Sequence, residues 1–512
     1  MDLGAETVIG DLPVTPLNLA IAPESDAVAF TAMVPASAPP PAWAPPELLP
    51  LLARREPHAQ LFVVTSPTAA PRRLSTGNFD YGEPAWMLDG QTVIAARNGG
   101  EICAFRVTGG EKQLSQHSGR NESPLPSPDG AKISWLAREP QPDAAVRKLW
   151  VMNADGSRVK ILTGSLDRDA AAPQWSSDSR TLYFLADDRG VTRVYAARND
   201  GTVRQLAVAP ARLSGFSQAD NGTAATVRTT AAGEELIVFP TDRPANVRVV
   251  ASPNRDLLEV RQIGTTEEVT WQSEGQSIQG WLTRPPGFQS AQEYPLLVDI
   301  RDDPRAMCGG EFNLRAQIFA ARGFVVLCAN PRGTPGYGEE FGNLLRTRFP
   351  GADADDLLRG IDSVLAKGSI DSHRVFVTGG LLSAWLIGHS DRFTAAVARR
   401  PIVDWTMDAA LDRDPLRHAV AWMGALPWDD PDQYVKHSPL YFAANFKTPT
   451  LVIGGPGDPQ AEALYFALQA RKVESALLRL PNLSQPADRI AEMEAELAWL
   501  GRDWAKPAPA AR

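Results

Sequence analysis

The sequence predicts a protein of two domains, an all-β propeller followed by an α/β domain with a doubly wound, mostly parallel sheet. Three features of the 512-residue chain lead to this prediction. Segments that read as β-hairpins repeat through the first half, and strands alternate with helices through the second half. Within the second half, one apolar strand runs through two glycines directly into a helix.

The repeats of the first half are strand–turn–strand segments that start about 41 to 47 residues apart. This spacing is typical of propeller blades, which bury their faces only against neighbouring blades. Asp-Gly pairs supply the positive φ that tight hairpin turns require; they stand at 89–90, 129–130, 155–156 and 200–201. We identify five blades from these repeats and expect the chain ends to complete about six to seven. The segments start at residues 61, 102, 149 and 194, with a fainter copy at 236.

Changes in composition along the chain mark the expected domain boundaries. We assign residues 1–258 to the propeller, 259–506 to the α/β domain and 507–512 to a flexible tail. A proline-rich insertion at 34–57 interrupts the first blade. Such an insertion is more often a surface loop than a docking motif, and we expect a loop.

The second half reads as a parallel doubly wound sheet, because buried strands alternate with helices of about 10–15 residues. The strand at Val375–Val377 passes through Gly379 and Gly380 into a helical pattern. This is the local architecture of a nucleophile elbow. The other strands are expected at Tyr294–Ile300, Gly323–Ala329, Thr450–Ile453 and Ala476–Leu480.

Bulk properties exclude some functions. The net charge is −9 and no Lys/Arg-rich run occurs, so nucleic acid is not an expected partner. The longest apolar runs are far shorter than the ~20 residues of a spanning helix, and residues 1–10 do not read as a secretory signal. Three cysteines, far apart, do not predict a disulfide framework. We therefore expect a cytoplasmic protein that does not bind membranes.

Several motifs of the second half resemble the prolyl oligopeptidase family, especially its acylaminoacyl-peptidase-like branch. They are NPRGTPGYGEEFGN (330–343), VFVTGG (375–380), GHSDRFTAAVARRPIVDW (388–405) and HSPL (437–440). The resemblance covers nearly the whole chain and implies that the second domain has the α/β-hydrolase fold. It also implies a serine peptidase, in which the propeller screens substrates from a triad in the chain order Ser, Asp, His.

The elbow departs from the family pattern, which is Gly-Gly-Ser-x-Gly-Gly followed by a Trp. Here Gly379–Gly380 runs into Leu381 and Leu382, and Trp385 follows about four residues too early. Ser383 is the first serine after the glycines and already lies within the helix, at a position that the family does not use as nucleophile. We therefore expect an ordinary helix serine, and no Gly-x-Ser-x-Gly occurs elsewhere.

The acid and base positions differ as well. Asp458 falls where the family has its triad Asp, yet Asp458 before Pro459 is equally a helix N-cap, and the two roles are compatible. No histidine follows Asp458, and the family's His position falls within Asn482–Gln485. Losing the serine or the base of such a triad typically costs about 10⁶-fold in turnover. His389 and His437 read as structural residues.

The oxyanion loop is also altered. The family has His-Gly-Gly-Pro after the first buried strand, and this chain has Arg301, Asp302, Asp303 and Pro304. A carboxylate in this loop would oppose a developing oxyanion, whereas the family's backbone N–H donors stabilise it. The alternative, which we favour, is that both aspartates pair with Arg301 and Arg305 on the surface.

These changes predict a catalytically degenerate family member, a pseudo-peptidase with a binding, regulatory or assembly role. The alternative is an active hydrolase with a relocated site, for which Cys308 is the candidate nucleophile. Metal catalysis through Asp302, Asp303 and Asp458 has little support because no His or Cys cluster accompanies them, so we expect neither metal nor cofactor. We expect a peptide or protein ligand, bound through the propeller or an inter-domain cavity, and the resemblance implies a homo-oligomer.

Overall fold

The computed structural model describes residues 15–35, 57–66, 68–115, 119–139, 146–301, 306–411, 419–482 and 484–504. Most of the proline-rich insertion and all of the predicted tail lie outside these residues. No helix in the described ranges is both long and apolar enough to cross a membrane.

The first half of the described chain forms five antiparallel sheets of four strands each. The first sheet contains β1 (Pro16–Ile21), β2 (Val28–Val34), β3 (His58–Val64) and β4 (Arg72–Arg73). The second contains β5 (Ala85–Trp86), β6 (Thr92–Arg97), β7 (Glu101–Arg106) and β8 (Glu111–Gln113). The third contains β9 (Arg120–Pro126), β10 (Lys132–Arg138), β11 (Lys148–Asn153) and β12 (Lys160–Ile161). The fourth contains β13 (Ala171–Trp175), β14 (Thr181–Asp188), β15 (Val191–Arg198) and β16 (Val203–Gln205), and the fifth contains β17 (Arg212–Gln218), β18 (Thr223–Thr230), β19 (Gly233–Pro240) and β20 (Arg248–Ala251).

Consecutive sheets pack against each other through buried apolar side chains. Trp86 and Phe105 of the second sheet pack with Val63 of the first, and the next three interfaces are built in the same way. This is how propeller blades bury their faces, so the propeller architecture is confirmed. The total of six to seven blades stays a prediction, because five sheets fall within the described residues.

The Asp-Gly turns have the predicted geometry. All four glycines adopt a positive φ, which a residue with a Cβ rarely does. At the first of these turns, the Asp89 carboxylate also accepts the backbone N–H groups of Gln91 and Thr92 at 2.9 Å. The φ values are 58° at Gly90, 70° at Gly130, 93° at Gly156 and 98° at Gly201.

The second half forms one eight-stranded mixed sheet. Its strands are β21 (Thr266–Ser273), β22 (Gln276–Thr283), β23 (Tyr294–Asp299), β24 (Val325–Asn330), β25 (Ile370–Gly379), β26 (Ala395–Arg399), β27 (Thr450–Gly454) and β28 (Ser475–Arg479). They lie in the order β21-β22-β24-β23-β25-β26-β27-β28. In this sheet order, all neighbouring strands between β24 and β28 pair in parallel. The strand β22 pairs antiparallel with both β21 and β24.

Helices cover both faces of this sheet, as a doubly wound fold requires. On one face, Leu386 and Ile361 of two helices pack on Val377 of β25. On the other face, Phe319 and Trp499 pack with Phe376 of the same strand. The helices are α1 (Arg255–Glu259), α2 (Leu314–Ala321), α3 (Glu339–Asn343), α4 (Ala352–Leu365), α5 (Leu381–His389), α6 (Trp405–Leu411), α7 (Pro431–Lys436), α8 (Pro459–Ala470) and α9 (Pro486–Leu500), with a 3-10 helix at Pro439–Asn445.

The sequence motif at residues 330–343, hereafter the docking motif, is one of the segments that join the two halves. Gly336 and Gly338 have φ values of 87° and 100°. The backbone N–H of Arg189 donates to the Gly336 carbonyl at 3.2 Å. The Asp167 carboxylate accepts the Glu339 backbone N–H at 2.9 Å, and a Cβ on Gly338 would collide with that carboxylate. The glycines of the docking motif therefore permit a close approach to the propeller.

Candidate functional site

The elbow consists of the end of β25 and the start of α5. Gly379 packs so closely on Ile300, just past the end of the neighbouring strand β23, that a Cβ there would lie 2.8 Å from the Ile300 Cβ. Gly380 is the N-cap, and α5 begins at once with Leu381. Leu381 and Leu382 are both buried in the core. The turn between strand and helix is thus occupied by apolar side chains where the family pattern has its serine.

Ser383 lies within the first turn of α5 and is fully buried. Its hydroxyl donates to the carbonyl oxygens of Gly379 and Gly380, at 2.7 Å and 2.8 Å. Such bonding to the preceding helical turn is typical of a structural helix serine. No hydrogen bond joins its Oγ to an imidazole or a carboxylate among the residues described.

Asp458 is the N-cap of α8. Its Oδ1 accepts the backbone N–H groups of Gln460 and Ala461, at 3.0 Å and 3.2 Å, and Pro459 occupies the first helical position. The structure therefore gives this carboxylate the capping role that the sequence offered as one of two compatible possibilities. The capped helix starts immediately after Asp458.

The family's histidine position lies at the start of α9. Gln485 is the N-cap of that helix, and its N–H donates to the Asn482 carbonyl at 2.9 Å. The Asn482 N–H in turn donates to the Asp488 carboxylate at 2.8 Å. These contacts hold the segment in a turn before α9, and the described part of it offers no group that could accept a proton from a serine.

Two histidines lie near the elbow helix, and their contacts agree with structural roles. The His389 ring stacks on Trp385 at 3.8 Å, and its Nδ1 is 2.9 Å from the Trp385 carbonyl oxygen. His437 is buried, with Nδ1 2.9 Å from the Pro350 carbonyl oxygen. Burial lowers the pKa of both imidazoles, which therefore favour their neutral form.

The oxyanion loop is described only at its ends. Arg301 follows β23 and is partly buried, and its Nε has no hydrogen-bond partner. Asp302, Asp303 and Pro304 lie outside the described residues, so their surface pairing stays a prediction. Within the described ranges, no group of three or more His, Cys, Asp or Glu side chains is placed to hold a metal ion.

Cys308 requires a correction. The sequence predicted no disulfide, but Cys308 and Cys328 are bonded to each other, with their Cα atoms 6.1 Å apart. They are separated by 20 residues, and the fold brings the loop of Cys308 beside β24 under the Trp281 ring. A disulfide sulfur has no thiolate with which to attack, so in this state Cys308 cannot be the alternative nucleophile.

A buried charge network, which the sequence did not predict, lies at the carboxyl ends of β23 and β25. Arg315 donates to Asp299 at 2.9 Å, and to Glu496 at 2.9 Å and 2.5 Å. Thr378 donates to Glu496 at 2.8 Å, and Arg399 lies 3.7 Å from Asp299. Burial opposes ionisation of Asp299, but Arg315 and Arg399 outweigh it and hold the pKa of this carboxyl below its usual value. Two cations thus balance two anions, and the network fixes α2 and α9 to the sheet.

A second buried pair connects the docking motif to α4. Arg332 donates to both carboxylate oxygens of Asp356, at 2.9 Å and 2.6 Å, and to Glu274 at 2.8 Å. Arg332 is 3% exposed and Asp356 is fully buried. One turn earlier, Asp353 is also buried, but its Oδ2 has no partner. Burial raises the pKa of Asp353 to about 7.

The fold and the elbow together define a propeller-bearing protein of the α/β-hydrolase class. Residues 310–506 match the model of the prolyl oligopeptidase family. The chain is 28% identical over 496 residues to YuxL of Bacillus subtilis, described as an uncharacterized peptidase, covering 86% of this chain and 74% of that one. It is 25% identical over 480 residues to dipeptidyl-peptidase 5 of Porphyromonas gingivalis, covering 86% and 69%.

Solved structures show the same fold at lower sequence identity. The acylaminoacyl peptidase of Pyrococcus horikoshii superimposes with a TM-score of 0.74 and 18% identity, covering 97% of this chain and 90% of that one. A puromycin-hydrolyzing peptidase of Mycobacterium tuberculosis has a TM-score of 0.78 and 18% identity, covering 96% and 79%. The resemblance of the chain to the prolyl oligopeptidase family is therefore confirmed, and the family model places it most directly in the α/β-hydrolase domain.

Proposed function

We propose that this chain is a pseudo-peptidase, which keeps the propeller and hydrolase domains to bind peptides or proteins and does not cleave them. The observation that carries the proposal is the environment of Ser383. Its hydroxyl is buried and donates to its own helical turn, while Leu381 occupies the elbow position. A regulatory or assembly role would use the same binding property.

The proposal follows from what acyl transfer requires. A serine hydroxyl becomes a nucleophile only when a base within hydrogen-bond reach takes its proton. Ser383 is bonded to carbonyl oxygens, which accept a hydrogen bond but are far too weakly basic to remove the proton. Asp458 is engaged by the N-terminus of α8, and no histidine follows it in the chain. Within the described residues, the Ser383 hydroxyl is therefore hydrogen-bonded to neither a base nor Asp458.

Hydrolysis assays test this proposal. We expect an N-acetyl-leucine p-nitroanilide and a p-nitrophenyl ester to be hydrolysed no faster than in buffer, because a triad without its base typically loses about 10⁶-fold. Ser383→Ala should behave like the unmodified chain. An active acylaminoacyl peptidase, assayed in parallel, controls for substrate quality.

The relocated-site alternative is tested in the same assay with a thiol reductant. Reduction would free the Cys308 thiol from Cys328. Turnover that requires reductant and disappears in Cys308→Ala would support that alternative. Turnover without reductant that is lost in Ser383→Ala would contradict the pseudo-peptidase proposal directly.

A further inference from the structure

The segment at residues 307–312, hereafter the joint segment, lies between the hydrolase domain and the propeller. It forms neither helix nor strand and leads directly into α2. Within the described residues, it bonds to three parts of the propeller, which are the β14–β15 turn, β17 and the end of β18. Because the segment has no regular structure of its own, its position depends on the contacts that it makes on either side.

On the propeller side, both ends of the joint segment are hydrogen-bonded. The Gly190 N–H donates to the Met307 Sδ at 3.1 Å, and the Arg212 Nη1 donates to the Met307 carbonyl oxygen at 3.1 Å. At the other end, the Phe312 N–H donates to the Thr230 carbonyl oxygen at 2.8 Å. The joint segment is therefore one of the places where the two domains meet through specific bonds.

On the hydrolase side, the attachment centres on Cys308. Its sulfur is bonded to Cys328 of β24. The Asn330 side chain donates to the Cys308 carbonyl at 3.0 Å and accepts the Cys308 N–H at 2.7 Å. The Trp281 ring packs on both cysteines and also on Gly190 of the propeller, where a Cβ would lie 2.2 Å from the ring. Of these contacts, the disulfide is the covalent one and the one that a redox reaction can break.

The two sulfurs lie beneath a stretch of chain that is suited to local opening. Cys308 and Cys328 are 1% and 7% exposed. Gly309 and Gly310 follow Cys308 directly, and Gly310 is exposed. Glycine reaches backbone conformations that other residues rarely adopt, so this stretch can open while the sheet beneath it stays folded. Such an opening gives a small dithiol access to the disulfide.

We propose that the disulfide between Cys308 and Cys328 is a redox-sensitive lock, which holds the joint segment against the propeller and releases it when a dithiol reduces the bond. A thiolate of the dithiol attacks one sulfur to form a mixed disulfide, and its second thiol then displaces that cysteine. The two cysteines gain two electrons and two protons, and the dithiol leaves as a cyclic disulfide. The Asn330 hydrogen bonds remain, but neutral hydrogen bonds contribute only modestly in water.

Hydrogen exchange of the full chain, measured by mass spectrometry before and after treatment with dithiothreitol, tests the lock. The N–H groups of Gly190 and Phe312 bond across the joint. Reduction should speed exchange in the peptides that contain them by about 10- to 100-fold, as expected from a crosslink that closes a loop of this length. Exchange in the second propeller sheet should stay unchanged, which shows that the fold is retained.

Alkylation of the folded chain shows whether the bond was reduced. After dithiothreitol, Cys308 and Cys328 should be alkylated. Cys103 is a free cysteine buried in the propeller and should stay unmodified, so it serves as an internal control for unfolding.

The double variant Cys308→Ser/Cys328→Ser and the single variant Cys103→Ser provide a matched pair. The double variant should exchange rapidly at the joint with or without dithiol, and Cys103→Ser should respond as the unmodified chain does. If the double variant does not fold, the reduced unmodified chain decides the question by the same measurement.

Three results would overturn the inference. They are a disulfide that stays intact in the folded chain, unchanged exchange at Gly190 and Phe312 after reduction, and exchange that becomes faster in both domains alike. The second result would mean that the disulfide stabilises the hydrolase domain alone. None of these readouts depends on hydrolysis, so failure of the pseudo-peptidase proposal would be seen separately.

Discussion

The elbow and the docking motif belong to the same hydrolase domain, but they differ in what their residues do. In the docking motif, Asn330 holds the Cys308 backbone with two hydrogen bonds, Arg332 binds Asp356, and Gly338 fits against the propeller. In the elbow, Gly379 still packs on the neighbouring strand, but the residues after it are core residues. In both regions the described contacts pack the fold, and the Ser383 hydroxyl in the elbow donates to its own helical turn.

This difference shows that packing and catalysis place separate demands on the same scaffold. β25 and α5 bury apolar side chains on both sides of the sheet whether or not a nucleophile stands between them. A shortened turn that begins the helix with Leu381 adds to this burial, and burying a leucine side chain contributes about 1.5–3 kcal/mol. The packing of this region therefore does not depend on a nucleophile at the turn.

The largest expected effect comes from breaking the buried pair in the docking motif. Arg332→Ala leaves the Asp356 carboxylate buried without its cation, and we expect a loss of about 3–5 kcal/mol in the free energy of unfolding. Denaturant unfolding of the hydrolase domain, followed by tryptophan fluorescence, measures it. Arg348→Ala removes only the exposed pair of Arg348 with Glu274, and it should lower the free energy of unfolding by less than about 1 kcal/mol. Equal effects of the two variants would mean that the buried pair does not hold the motif in place.

A pH-dependent effect is expected from Asp353, the buried carboxyl one turn before Asp356 that pairs with no cation among the described residues. Because its pKa is raised from 3.8 to about 7, the folded state binds its proton more tightly than the unfolded state. Stability therefore falls as the pH rises from about 4 to about 7, by up to roughly 1.4 kcal/mol per pH unit. Asp353→Asn removes this dependence.

Thermal unfolding at pH 5 and pH 8.5 checks the prediction. At pH 5, the unfolding temperature of Asp353→Asn should lie close to that of the unmodified chain. At pH 8.5, Asp353→Asn should unfold at the higher temperature of the two. The amide keeps an oxygen that can accept the Gly351 N–H, which Asp353 now accepts at 2.8 Å. A variant that is less stable than the unmodified chain at pH 8.5 would show that the ionised carboxylate stabilises the fold.

Local patterns made much of the fold predictable. The hairpin repeats, the Asp-Gly turns and the strand–helix alternation are set by neighbouring residues, and the structure has them where they were expected. β26 was not assigned beforehand, because its segment Ala395–Arg399 is short and rich in alanine, without the bulky β-branched run that marks a central strand. Its strand state depends on pairing with β25 and β27.

The long-range features could not be read from the sequence. Cys308 and Cys328 meet because the loop before α2 folds back onto β24, and the Arg315 network joins residues up to 181 positions apart. Disulfides are typical of oxidising compartments, whereas the sequence predicted a cytoplasmic protein. The cytoplasmic location stays a prediction.

The candidate site was predictable for a different reason. The absence of a histidine after Asp458 is a property of the sequence itself, and the structure added the contacts of Ser383 and Asp458.

Covalent labelling with a fluorophosphonate probe tests the central claim most directly, because the probe reports an activated serine without requiring a suitable substrate. We expect no modification of the folded chain under conditions in which an active acylaminoacyl peptidase is fully labelled, since the Ser383 hydroxyl is buried and bonded to its own helix. Stoichiometric modification, mapped by mass spectrometry to Ser383 or to any other serine and abolished by heat unfolding, would contradict the account.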